Sequence, residues 1–103
     1  MNNFESPLEK EKPKVAYSET KIKVLITAIE PRLDKNRQDY WIIKTQLDEQ
    51  TAHNYLAFST DYNLSGKATY WLMHPAKVID KFAWLTIKKK DDREKVIEIE
   101  LEK

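Results

Sequence analysis

The amino-acid sequence predicts a mainly-β domain of five strands, with one short helix between the third and fourth. Three observations lead there. Apolar residues recur at every second position through most of residues 20–101, which is the strand period. Clusters of Pro, Asp, Asn and Lys break that alternation into short runs. Only the stretch after Asn63-Leu64-Ser65-Gly66 changes to helical spacing.

Residues 1–19 carry two prolines, alternating charge and few large apolar groups. Such a segment buries too little surface to offset its ordering entropy, so it reads as a flexible tail ahead of a domain at 20–103. Strand one follows, with Ile22, Val24, Ile26 and Ala28 alternating with Lys21, Lys23, Leu25 and Thr27. Pro31 and the polar run at 34–39 are expected to end it. Strand two covers 40–47, with Trp41, Ile43 and Leu47 on one face and Tyr40, Lys44 and Gln46 on the other. A short connection at 48–50 leads to strand three at 53–60. There Leu56 and Phe58 are expected to face the core, and His53, Tyr55 and Ala57 to face away.

Ser65 is a good N-cap for a helix whose Ala68, Trp71 and Leu72 share a side. Pro75 stops it near Met73 or His74, because its ring clashes with the carbonyl four residues back. Ala83, Leu85 and Ile87 then mark strand four, and Ile97, Ile99 and Leu101 mark strand five. The polar run at 90–94 makes the hairpin turn between them. Trp41, Ile43, Leu56, Phe58, Leu85 and Ile87 are the expected core.

This order, β-β-β-α-β-β, resembles the OB-fold, a five-stranded barrel. The aromatic hairpin at 40–61 is similar to the second hairpin of single-strand-binding and replication-protein-A-like domains. The resemblance implies a five-stranded OB-type barrel with one short helix. It also implies binding of single-stranded nucleic acid on one sheet face, flanked by the loops after strands one and four. The glycines with which many such domains bend strand one are absent; Gly66 is the only glycine. A small sheet with one packed helix is the alternative architecture.

Composition narrows the function. With no cysteine, disulfides and thiolate metal sites are excluded. No apolar run approaches a membrane span, and the N-terminus lacks a signal-peptide pattern, so the expected location is cytoplasmic. His53 and His74 stand far apart without carboxylates at ligand spacing. Ser65-Gly66-Lys67-Ala68 lacks both the leading glycine and the final Ser/Thr of a phosphate loop. No nucleophile, base and orienter assemble, so the expectation is a non-enzymatic protein with neither cofactor nor metal.

Net charge is only +1, yet 81–90 holds four lysines and no acid. If the expected core points inward, the pleat sends Tyr40, Tyr55 and Trp84 outward among Lys23, Lys44 and Lys88. Arg37 and Lys90 sit in the flanking loops. Rings interleaved with cations suit single-stranded nucleic acid, since bases stack on the rings and ammonium groups follow the phosphates. The expected activity is binding of single-stranded DNA, or RNA, with little sequence preference. Its alternative is a protein-interaction OB module within a larger assembly, docking through the aromatic face or through Tyr70 and Met73 of the helix, with a homodimer among the arrangements.

Overall fold

The computed structural model describes residues 17–102. It contains β1 (Tyr17–Leu33), β2 (Asp39–Gln46), β3 (Ala52–Phe58), α1 (Gly66–Met73), β4 (Lys81–Lys90) and β5 (Arg93–Leu101), with a 3₁₀ turn at Pro75–Lys77. The expected element order is therefore observed. β1 begins at Tyr17, three residues ahead of the expected domain boundary, and the rest of the expected tail lies outside the described residues.

All five strands form one antiparallel sheet in the order β3-β2-β1-β4-β5. The long β1 is its spine, pairing with β4 from Tyr17 to Ile26 and with β2 from Leu25 to Leu33. It does not stop at Pro31. The β4 ladder has already ended at Ile26, so the strand has an open side there, where proline is tolerated.

The change of partner is made by a β-bulge. Ile26 opposes Thr45 and Ala28 opposes Lys44, which leaves Thr27 as the extra residue. Its hydroxyl donates to the Lys44 carbonyl at 3.1 Å. A bulge bends its strand and inverts the alternation beyond it. Val24 and Ile26 therefore point inward and so does Ile29, while Ala28, expected to face inward, does not. The bend that lacks a glycine is built from this bulge. A second register shift, between Thr86 and Ile87, bends the β4–β5 pair.

The inner face holds Val24, Ile26, Trp41, Ile43, Leu85, Ile87, Val96 and Ile99, closed at one end by Ala68 and Leu72 of α1 and by Val78. Trp41, Ile43, Leu85 and Ile87 are buried as expected. Strand three corrects the expected face. Tyr55 and Ala57 are buried, whereas Leu56 and Phe58 are half-buried on the outside. The ladder explains why, since Trp41 opposes Ala57 and Ile43 opposes Tyr55. A one-residue change of phase exchanges every side chain between faces.

The helix starts where its cap directs. The Ser65 hydroxyl oxygen accepts from the Ala68 N–H at 2.9 Å, and the hydroxyl donates to Glu98 of β5 at 2.6 Å. The Ser65 N–H also donates to the Ile97 carbonyl. The segment leaving β3 is thus tied to β5, the opposite edge of the sheet. Those two edge strands come near one another, and no ladder joins them among the described residues.

Candidate nucleic-acid interface

Register decides which outward residues meet. Tyr40 opposes Phe58, Ile42 opposes Leu56, and Lys44 opposes Asn54, all on the outer face of β2 and β3. The Tyr40 and Phe58 rings stack with centroids 5.8 Å apart. Beyond the β3 edge, Leu56 and Phe58 form one wall of an open cleft of about 1070 Å³. The β4–β5 hairpin supplies the other wall, with Lys88, Lys90, Arg93 and Lys95, and the loop after β3 supplies the floor with Asp61 and Tyr62.

The floor is held by Asp61, whose side chain is only 5% exposed. One carboxylate oxygen accepts from the Asn63 N–H at 3.0 Å. The other has no hydrogen bond of good geometry, and the Lys95 ammonium approaches it at 3.2 Å. At the β3 and β5 starts, His53 Nε2 lies 3.4 Å from Glu94 Oε1. The cleft is accordingly balanced in charge: Lys88, Lys90, Arg93 and Lys95 face Asp61, Asp91, Asp92 and Glu94.

The eight residues singled out by the sequence divide into three groups. Tyr40 and Lys44 belong to the β2–β3 outer face, Lys88 and Lys90 line the cleft, and Arg37 lies in the β1–β2 turn that leads into Tyr40. That turn is held by the Asp34 carboxylate, which accepts from the Asn36 and Gln38 N–H groups at 2.8 and 2.9 Å. Arg37 there takes a left-handed backbone conformation, with φ of 63°. Lys44 is bonded to Glu30 at 2.8 Å, and this hydrogen bond holds the Glu30 carboxyl below its ordinary value, aided by the nearby Arg32 charge.

Lys23 and Trp84 form a different group. They oppose each other on β1 and β4, whereas Tyr40 opposes Arg32, nine positions further along β1. Lys23 is occupied by Glu102 at 2.6 Å.

Tyr55 belongs to neither surface. Its ring is 7% exposed and packs in the core, and desolvation together with the Glu94 charge raises its phenol above the ordinary value. It cannot serve as a stacking platform without leaving the core. The residue that takes its place beside Tyr40 is Phe58, whose expected position is the interior. Arg93 of the β4–β5 hairpin, a basic residue expected to flank the groove, also lines the cleft, as do Leu56 and Tyr62, which were not candidates. Alternation could not place Leu56, because both faces of β3 carry apolar residues, and it says nothing of Tyr62, which lies in the loop beyond the strand.

Among the described residues, no group of three or more His, Cys, Asp or Glu side chains is arranged to hold a metal ion. Among the described residues, no helix is long and apolar enough to cross a membrane. Compared with known proteins, the chain matches no family model, no curated protein and no solved structure.

Proposed function

We propose that this protein is a non-enzymatic OB-type domain, a partly open five-strand barrel, that binds single-stranded DNA or RNA in the cleft between β3 and the β4–β5 hairpin. The observation that carries the reading is the Phe58 ring, stacked on Tyr40 and lining a cleft whose other wall is a hairpin with four cations. Bases stack on Tyr40 and Phe58, while the hairpin wall follows the phosphates. The central β1 shared by both halves of the sheet, the helix between β3 and β4, and the approach of β3 to β5 support the OB-type architecture.

Salt dependence follows from the ion pairs. Lys23, Lys44 and Lys95 are ion-paired with Glu102, Glu30 and Asp61. Arg37, Lys90 and Arg93 have no ion pair among the described residues and are the phosphate contacts. Three such contacts on a single strand give a log–log salt slope of about −2. Anisotropy titration of a labelled oligothymidylate at two salt concentrations tests this. Binding that weakens with salt, and that Lys90→Glu weakens further, supports the reading; absence of binding at low salt refutes it.

A second reading rests on the charge balance of the cleft. Four acids among four cations suit an extended protein segment of mixed charge as well as a polyanion. Under that reading the domain is a protein-interaction module of the same architecture, and oligonucleotides do not compete for the cleft.

A further inference from the structure

Trp84 and Phe82 remain outside the cleft, on the outer face of β4, and are 38% and 51% exposed. They form a central apolar row, with Leu25 of β1 beside Phe82. Lysines from β1 flank the row on one side and glutamates from β5 on the other. At the Trp84 level the neighbours are Lys23 and Glu100. At the next outward position along β4 they are Lys21 and Glu98, the latter already held by Ser65. Within one chain the lysines reach diagonally over the row, Lys21 to Glu100 at 3.4 Å and Lys23 to Glu102 at 2.6 Å.

This face is a poor track for phosphates, because Lys21 and Lys23 are both held in ion pairs, to Glu100 and Glu102. It is instead self-complementary. A two-fold axis parallel to β4 turns a second copy over so that its lysine row meets the first copy's glutamate row. The same operation lays Trp84 and Phe82 on their own counterparts, the isologous arrangement of symmetric dimers. The other in-plane axis sets lysines on lysines and is repulsive. We propose that the outer face of β1, β4 and β5 is a homodimer interface, with Trp84 at its centre and Lys23 of each copy facing Glu100 of the other. The two copies' clefts lie away from this row, so the interface does not depend on what the cleft binds.

Sedimentation equilibrium of the full chain from micromolar to millimolar concentration reads the association directly. The expected result is a monomer–dimer equilibrium, with Trp84→Glu raising the dissociation constant by at least about tenfold, since it buries an unpaired charge in the dimer. Far-UV circular dichroism of that variant checks that the sheet is retained. Charge reversal supplies an arm that a purely structural role does not move. Lys23→Glu alone and Glu100→Lys alone each place like charges across the axis twice, so each is expected to be monomeric. An equimolar mixture of the two places opposite charges at both contacts and is expected to form a heterodimer. A protein that is monomeric throughout overturns the proposal. So does a dimer that survives Trp84→Glu, or a mixture of the two reversed variants that stays monomeric.

Discussion

Replacing Tyr55 by alanine and, separately, Phe58 by alanine distinguishes the two faces of β3. The Tyr55 ring is 7% exposed, opposite Ile43 in the ladder. Removing a buried aromatic leaves a cavity that the surrounding core fills only in part, at a loss of about 3–5 kcal/mol. For a domain of this size each kcal/mol lowers the melting temperature by roughly 4–8 °C, so Tyr55→Ala is expected to melt at least about 12 °C below the parent. Phe58 is half-buried and stacked on Tyr40 at 5.8 Å. Its loss removes part of one burial and one ring pair, roughly 1–2 kcal/mol. In binding the order reverses: Phe58→Ala loses about 1–3 kcal/mol if a base stacks there. Urea unfolding followed by tryptophan emission gives the stabilities, and oligonucleotide titration of the folded fraction gives the affinities. A Tyr55→Ala protein as stable as the parent, or a Phe58→Ala protein that loses more stability than Tyr55→Ala, refutes the β3 orientation.

Three further outcomes follow from particular bonds. Ser65→Ala removes the cap on the Ala68 N–H and the tie to Glu98, and is expected to lower stability by roughly 0.5–2 kcal/mol in denaturant unfolding. The raised Tyr55 phenol works in the alkaline direction: the unfolded chain ionises first as pH rises past the ordinary value of 10.0, so stability present below that pH declines above it. Tyr55→Phe is expected to flatten this alkaline decline, measured as melting temperature against pH. The Glu30 carboxyl, lowered chiefly by the Lys44 hydrogen bond, favours folding above the ordinary carboxylate range and loses that effect as pH falls through its folded value. In Lys44→Gln, NMR titration of the Glu30 carboxyl is expected to move back up toward 4.5.

Much of the architecture was legible because local chemistry declares it. Alternation located the strands, Ser65 and Pro75 bounded the helix, and Trp41, Ile43, Leu85 and Ile87 were placed in the core by period two alone. Strand three was harder, since Leu56 and Phe58 are no less apolar than Tyr55 and Ala57. A cue was nevertheless present in the three-residue connection 48–50. It sets Leu47 against Thr51 and, counting back, Trp41 against Ala57, so an inward Trp41 requires an inward Tyr55 and Ala57. A large ring facing a small alanine is the packing that results. The β1 bulge had no comparable cue. Thr27 interrupts an alternation that looks unbroken, and only its change of partner between β4 and β2 requires the extra residue.

The candidate site was legible as composition but not as placement. Aromatic residues and cations were correctly read as outward on β2 and β4, yet Tyr40 and Trp84 are separated along β1 by their partners Arg32 and Lys23. The lysines' carboxylate partners depend on register and on the curl of the sheet, which no local window contains. Glu100 and Glu102 reach Lys21 and Lys23 across an intervening strand.

The cleft, rather than the Trp84 face, is proposed to receive the single strand. Amide NMR titration of the isotopically labelled protein with a short oligothymidylate at low salt tests it residue by residue. Concerted shifts are expected at Tyr40, Phe58, Tyr62 and the 88–95 hairpin, with Phe82 and Trp84 unchanged. Shifts confined to Phe82, Trp84 and Lys23, or no shifts at all, contradict it.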